Sequence, residues 1–131
     1  MNYLLDTSAL LAHYRDESGA SRVQELFDDL ENRIFIASIS ITEFSRRMDE
    51  LGASGQYIDA AVFGYGRMFA AVVPIDEAIA KAAFQLGLHA SSRIPLADAL
   101  IAASAASLKA VLVHRDPHFQ SLPTDLLQEK L

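Results

Sequence analysis

Residues 3–12, YLLDTSALLA, join a short apolar run to the start of an apolar helix through the polar residues Asp6, Thr7 and Ser8. A short apolar run such as residues 3–5 is typical of a buried strand. Asp, Thr and Ser favour helix N-termini, because their side-chain oxygens accept hydrogen bonds from free backbone N–H groups. This stretch therefore predicts a strand, a capping turn and a helix, which together form the first unit of a βα alternation.

The same alternation continues along the chain. Apolar, β-branched and aromatic residues predict further strands at 34–38, 71–76 and 110–113. Apolar residues at helical spacing predict helices over 18–30, 41–51, 54–69, 76–89 and 96–108, while the tail from Ser121 is assigned no element. No hairpin signal such as Asn-Gly separates the strands. The sequence therefore predicts an α/β fold, a small parallel sheet with helices on both faces, whose ligands bind at the carboxyl ends of the strands.

Length and composition exclude several classes of protein. The 131 residues suit a single domain spanning 1–131, and 51% hydrophobic with 21% charged residues excludes a disordered chain. The absence of Cys excludes disulfide frameworks, zinc fingers, iron–sulfur clusters and cysteine nucleophiles. The N-terminus lacks a basic region before its apolar run, and no apolar stretch is long enough for a membrane span, so we expect a cytoplasmic protein. The net charge of −6 argues against a protein that holds nucleic acid mainly by its total charge.

Four carboxylates stand either in uncharged surroundings or directly after a predicted strand: Asp6, Glu43, Asp98 and Asp116. A lone carboxylate is costly to bury unless it is paired, hydrogen-bonded or bound to a metal. Asp6 and Asp116 follow strands, whereas Glu43 and Asp98 lie early in helices that can pass over the same sheet edge. We expect these four side chains to converge on one pocket.

Each carboxylate also has an ordinary structural interpretation. Asp6 can cap a helix, and Glu43 can pair with an arginine three or four residues further on. Asp98 can interact favourably with the dipole of its helix, and Asp116 can serve as the turn residue before a proline. These interpretations stay open for each residue taken alone.

A cluster of carboxylates needs a counterion, because like charges in one pocket repel one another. Carboxylate and water ligands suit Mg²⁺ or Mn²⁺, and no Cys-rich or His-rich set competes to form a zinc site. One such ion can lower the pKa of an attacking water, and a second can stabilise a leaving oxygen. The pocket therefore predicts phosphodiester hydrolysis.

Four segments resemble, in order, the motifs of PIN-domain ribonucleases, and more closely those of the VapC-type toxins of bacterial type II toxin–antitoxin pairs. The similarity spans residues 2–119. The segments are LLDTSALLA at 4–12, ITEFSRR at 41–47, PLADALIAASA at 95–105 and VLVHRDPHF at 111–119.

The resemblance implies a three-layer αβα fold and a role for each carboxylate. Asp6 and Asp98 are its firmest metal ligands, Glu43 binds metal directly or through water, and Asp116 occupies the most variable position of the four. Ser8 stands where the family has a small polar residue that orients the first carboxylate or a bound water.

The chain departs from the family at His114, where a Thr or Ser usually stands two residues before the last acid. His114 either donates to a carboxylate or phosphate, with a raised pKa, or is a neutral, partly buried histidine that closes a strand. Arg46 and Arg115 are the arginines we expect to contact the RNA backbone. His118 and Phe119 follow the last acid and can approach a base, although Phe119 suits the core better.

The resemblance further implies a metal-dependent endoribonuclease that is inhibited by a cognate antitoxin and forms a homodimer. Such an antitoxin places a basic residue among the carboxylates. The aromatic-rich residues 57–69 are interpreted either as an antitoxin or dimer surface or as ordinary core. The alternative function is a PIN fold that binds RNA or protein and has weak or no catalysis. A receiver-type signalling domain is disfavoured, because its adjacent acids and its lysine after a late strand are missing.

Overall fold

The computed structural model describes residues 1–131, and strands and helices alternate along most of the chain. The strands are β1 (Asn2–Leu5), β2 (Arg33–Ala37), β3 (Ala71–Val73), β4 (Val111–His114) and β5 (Gln128–Lys130). The helices are α1 (Thr7–Tyr14), α2 (Ala20–Asp28), α3 (Ser38–Glu50), α4 (Gly55–Gly66), α5 (Glu77–His89) and α6 (Leu96–Ser107), with a short 3₁₀ helix at Pro117–Ser121. None of the helices has both the length and the apolar character needed to span a membrane.

The five strands form one parallel sheet in the order β3-β2-β1-β4-β5, with β1 at its centre. Leu4 of β1 pairs with Phe35 of β2 on one side and with Leu112 of β4 on the other. Parallel strands need crossover connections, and helices supply most of them here. The predicted α/β class with a parallel sheet is confirmed.

Alternate strand residues face opposite layers of helices. Leu4 and Leu112 pack in one core cluster with residues of α5 and α6. Leu5 and Val113 pack on the opposite face, in a cluster that includes residues of α1 and α2, and a third cluster joins β2 to α1, α3 and α4. Because successive strand side chains point to opposite faces, this central part of the sheet is buried on both sides. The predicted arrangement of helices on both faces is therefore present.

Strand β5 lies in the tail from Ser121, for which the sequence pattern predicts no element. Residues Gln128–Lys130 are polar and mostly exposed, so they show neither an apolar run nor a buried alternation. They join the sheet edge by backbone pairing, with Gln128 opposite Leu112 and Lys130 opposite His114, and the side chains of Gln128 and Glu129 add bonds to His114 and Arg22. Short polar edge strands of this kind are stable as additions to a formed sheet but carry little signal of their own.

The helix predicted over 18–30 is wrong at both ends. It begins only at Ala20, because the preceding Gly19 has a left-handed φ of 97° that no helix can include. It ends at Asp28, and Leu30, which we expected on the apolar face, is 96% exposed. A Cβ at position 19 would lie 2.8 Å from the Cβ of Leu131, so glycine also permits close packing of the C-terminus.

Other predicted bounds shift by a few residues. The helix predicted from 41 begins at Ser38, directly after β2, and the helix predicted to 69 ends at Gly66. The strand predicted over 71–76 ends at Val73, because Pro74 has no N–H to donate to a neighbouring strand.

The carboxyl ends of β1, β2 and β4 lie side by side at one edge of the sheet. Asp6 directly follows β1, and its backbone N–H donates to the carbonyl of Val113 in β4 at 3.0 Å. Arg115 and Asp116 directly follow β4, while α3 begins directly after β2. This edge is therefore where the four candidate carboxylates can meet.

Candidate metal centre

Asp6 is the most deeply buried acid of the chain and is fixed by hydrogen bonds. Its side chain is the N-cap of α1 and accepts from the backbone N–H of Ala9 at 2.8 Å. The Ser8 hydroxyl lies 2.7 Å and 2.9 Å from its two carboxylate oxygens, and the residue is only 3% exposed. The capping interpretation is therefore correct, but one cap does not explain why the whole carboxylate is buried.

Ser8 connects Asp6 to the loop after β4. While its hydroxyl donates to the Asp6 carboxylate, its oxygen accepts from the backbone N–H of Arg115 at 3.0 Å. The contact with Asp6 is the one that we expected from the small polar residue at this position. Ser8 thus fixes the spacing between the carboxyl ends of β1 and β4.

Ser8→Ala is expected to lower the free energy of unfolding by about 1–3 kcal/mol, because Asp6 loses a donor and the Arg115 N–H loses its acceptor. Urea denaturation in the presence of a chelator measures this difference. Ser21→Ala, at an exposed position of α2, is the matched control and should change stability by less than about 0.5 kcal/mol. Equal stability of the two variants would show that these bonds do not hold the site together.

Asp98, Asp116 and His118 form the second part of the cluster. Asp98 lies in the first turn of α6, and Asp116 caps the 3₁₀ helix by accepting from the backbone N–H of His118 at 2.9 Å. The His118 Nδ1 lies 3.2 Å from Asp98 Oδ2 and 2.9 Å from Asp116 Oδ1. One potential ligand atom from each of the three residues lies within 4.8 Å of the other two, a spacing at which they could share one metal ion.

Burial, together with repulsion between carboxylates, raises the pKa of Asp6 and of Asp98. Burial raises the pKa of Asp6 to about 7, and repulsion from Asp98 and Asp116 adds to this, against the hydrogen bonds from Ala9 and Ser8. Burial and then repulsion from Asp116 raise the pKa of Asp98 to about 6, although His118 partly opposes the increase. The pocket therefore disfavours the charged form of both carboxyl groups, and more strongly for Asp6 than for Asp98.

Glu43 approaches the cluster from α3. Its Oε1 lies 2.5 Å from the hydroxyl of Thr7, which lies 3.0 Å from the hydroxyl of Ser40. Repulsion from Glu43 contributes to the raised pKa of Asp98, so the fourth carboxylate faces the same pocket. The suggested pairing with a nearby arginine is not formed, since Arg47 pairs with Glu50 instead, at 3.3 Å.

Thr7 and His118 contact acids of the site, and Ser40 contacts Thr7, although the sequence pattern did not predict these contacts. Thr7 adjoins Asp6 and Ser40 stands one helical turn before Glu43, so both spacings were available as signals. His118 stands two residues after Asp116, but its direction depends on the 3₁₀ turn. Phe119 is fully buried in the core, as its alternative interpretation proposed.

The structure contradicts a raised pKa for His114. Its ring is 1% exposed, and its Nε2 lies 3.0 Å from the side-chain oxygen of Gln128 in β5. Burial lowers the pKa of His114, because the charged imidazolium would lose its hydration there. The neutral histidine that closes a strand is the interpretation that fits. No hydrogen bond joins its ring to a carboxylate.

The side chains of the two arginines predicted to contact RNA differ in how firmly the protein holds them. Arg46 is exposed on α3. The Arg115 guanidinium donates to the carbonyl of Ser18 at 3.0 Å and lies 3.5 Å from the Glu17 carboxylate, so it is partly held on the protein. A role for either arginine in binding RNA stays a prediction.

Residues 57–69 divide between core and surface. Ile58 and Tyr65 are buried among residues of α1, α3 and β2, so the core interpretation holds for them. Tyr57 and Phe63 are exposed, and for these two the interpretation as a partner surface stays a prediction.

The sequence model of the PIN-domain family matches residues 3–124. Solved structures also resemble the chain over nearly its whole length. VapBC2 from Rickettsia felis, bound to a DNA fragment from its promoter, has a TM-score of 0.79 at 19% identity and covers 100% of this chain and 99% of that one. VapBC-1 from nontypeable Haemophilus influenzae has a TM-score of 0.73 at 25% identity, covering 99% and 98%. Mycobacterium tuberculosis VapC20, a sarcin–ricin loop cleaving toxin, has a TM-score of 0.73 at 12% identity, covering 98% and 99%. No curated protein matches the sequence.

Proposed function

The chain belongs to the PIN-domain family, and from this premise we propose that it is a divalent-metal-dependent endoribonuclease acting as the toxin of a type II toxin–antitoxin pair. The observation that carries the proposal is the meeting of Asp6, Asp98 and Asp116 at the carboxyl edge of the sheet, where they repel one another. Repulsion between these carboxylates destabilises the folded state. A cation bound in the pocket would attract each of them and so offset this repulsion.

The donor set suits Mg²⁺ or Mn²⁺. Asp6, Asp98 and Asp116 offer hard carboxylate oxygens, and Glu43 adds a fourth, directly or through water. The raised pKa values of Asp6 and Asp98 mark a pocket that favours added positive charge at neutral pH. A bound Mg²⁺ would supply charge that attracts a phosphodiester and lowers the pKa of an attacking water.

The remaining residues hold this donor set in place. Ser8 and the N-terminus of α1 keep the Asp6 carboxylate in one orientation. Thr7 does the same for Glu43, so adjacent residues of the first motif position two different acids. Arg46 and Arg115 are our candidates for contacts with the RNA backbone on either side of the cleaved bond. Preorganised ligands of this kind avoid the cost of ordering the site when substrate binds.

The partner follows from the kind of protein that the chain resembles. VapBC-1 of Haemophilus influenzae is 25% identical over 99% of this chain, which supports a cognate antitoxin here too. An antitoxin segment that places Arg or Lys among the carboxylates would neutralise the site and block access of RNA. The exposed Tyr57 and Phe63 of α4 are candidates for its apolar contacts or for contacts in a homodimer. A cytoplasmic toxin would meet both its RNA and its antitoxin.

Incubation of the antitoxin-free protein with total bacterial RNA tests the activity. We expect discrete fragments with Mg²⁺ or Mn²⁺ and none with chelator. Asp98→Asn should abolish the fragments, while Asp59→Asn, at an exposed position of α4, should leave them unchanged. If folded protein produces no fragments with either ion, the binding-only PIN module becomes the better account. Fragments that persist in Asp98→Asn would contradict the assigned site or reveal a contaminating nuclease.

A further inference from the structure

One imidazole lies inside the carboxylate cluster. The His118 Nδ1 is within 3.2 Å of an oxygen of both Asp98 and Asp116, although the pattern of the sequence suggested a site made of oxygen ligands alone. The side chain is about half exposed, at 52%, so ions from solvent can reach it.

The backbone around His118 is fixed on both sides. Its N–H donates to the Asp116 carboxylate at 2.9 Å, and its carbonyl accepts from the Ser121 hydroxyl at 2.8 Å. The next residue, Phe119, is fully buried in the core. A half-exposed side chain on a fixed backbone keeps Nδ1 directed toward the two carboxylates. That is the property required of a metal ligand.

The other histidines are engaged elsewhere. Both ring nitrogens of His13 have side-chain partners in α2 and α4, and His114 is buried against Gln128. His89 lies at the end of α5, where its Nδ1 donates to a backbone carbonyl. His118 is thus the one histidine whose ring nitrogen approaches two acids of the candidate site.

We propose that His118 is a nitrogen ligand of the metal centre and makes this site prefer Mn²⁺ over Mg²⁺. The proposal rests on the metal-dependent function proposed above and adds the identity of the ion. Mg²⁺ is a hard ion that favours oxygen and water ligands, whereas first-row transition ions also accept imidazole nitrogen. A set of two carboxylates and one imidazole is therefore expected to bind Mn²⁺ more tightly than Mg²⁺. Nδ1 lies where it can donate to the Asp98 carboxylate, so as a ligand it would need the ring proton on Nε2, which leaves the Nδ1 lone pair for the ion.

Calorimetry with Mn²⁺ alone and Mg²⁺ alone tests the preference in wild type, His118→Asn and His89→Asn. Asparagine retains a side-chain amide that can donate to Asp98 but has no imidazole lone pair. We expect His118→Asn to weaken Mn²⁺ binding by at least about tenfold and Mg²⁺ binding by no more than about twofold. His89→Asn, which removes an exposed histidine on α5, should change neither affinity.

Pulsed electron paramagnetic resonance of the Mn²⁺-loaded protein supplies a readout that a merely structural role would not move. Coupling of Mn²⁺ to a ligand ¹⁴N is expected in wild type and His89→Asn and lost in His118→Asn. Absence of that coupling in wild type, or equal losses of Mn²⁺ and Mg²⁺ affinity in His118→Asn, would overturn the proposal. If wild type binds neither ion, the proposed metal-dependent function is contradicted. If both ions bind and RNA is cleaved but His118→Asn leaves both affinities unchanged, only the proposed ligand role of His118 is contradicted. His118→Gln replaces the asparagine variant if the latter does not unfold cooperatively.

Discussion

Asp6→Asn is expected to lower the rate of Mg²⁺-dependent RNA cleavage by at least about a hundredfold while leaving the protein folded. Asp6 is the most deeply buried of the four acids, and its charge is repelled by both Asp98 and Asp116. Removing that charge weakens the attraction for a cation more than removing a peripheral acid would. Asparagine has nearly the same shape and still accepts the N-capping bond from the backbone of Ala9.

The measurement is an initial rate at saturating Mg²⁺, with urea unfolding as the test of the fold. Asp59→Asn removes one charge from an exposed position of α4 and should cleave RNA at the wild-type rate. This control separates loss of a ligand from the change in net charge. Wild-type rates in Asp6→Asn would place the reaction elsewhere on the molecule.

The central part of the fold could be predicted because buried strands and helices need apolar residues, which form recognisable runs in the sequence. The paired core strands β1, β2 and β4 appear as short apolar runs, and an isolated acid follows directly where β1 ends at Asp6. The long apolar stretch of α6 likewise isolates Asp98. Parallel pairing then brings these strand ends to one edge, so the meeting of the acids follows from topology.

The missed surroundings of His114 and His118 share one physical origin, namely contacts that depend on the folded path of the backbone and leave no periodic pattern in the sequence. The polar strand β5 joins the sheet through its backbone, and it carries the Gln128 that hydrogen-bonds to His114. Because β5 was not predicted, the environment of His114 could not be predicted either. His118 meets Asp98 across twenty residues of sequence only because the 3₁₀ helix directs its ring there. The direction of the His118 ring is set by the folded turn, so the sequence alone did not predict it.

Without divalent ions, the wild-type protein should lose stability relative to Asp6→Asn as the pH rises from about 4 to about 7. The carboxyl of Asp6 has a pKa near 3.8 in a free chain and about 7 in the fold. Between these values the folded state holds a proton that the unfolded state has released. The free energy of unfolding therefore falls with rising pH. Asparagine does not titrate, so the difference between the proteins reports the titration of Asp6 together with its coupling to Asp98 and Asp116.

The difference should be near zero below pH 4, grow up to pH 7, and stay constant above it, reaching about 2–4 kcal/mol in favour of the variant. Urea denaturation in chelator at half-unit pH steps measures it, with Asp59→Asn expected to follow wild type throughout. Saturating Mg²⁺ should shrink or reverse the difference at pH 8, because only wild type offers the ion a charged ligand at position 6. A difference that stays flat from pH 4 to 8, or that grows on acidification, would mean that burial does not raise the pKa of Asp6. Asp6 would then be ionised at neutral pH even without a divalent ion, and its burial would not oppose its charge.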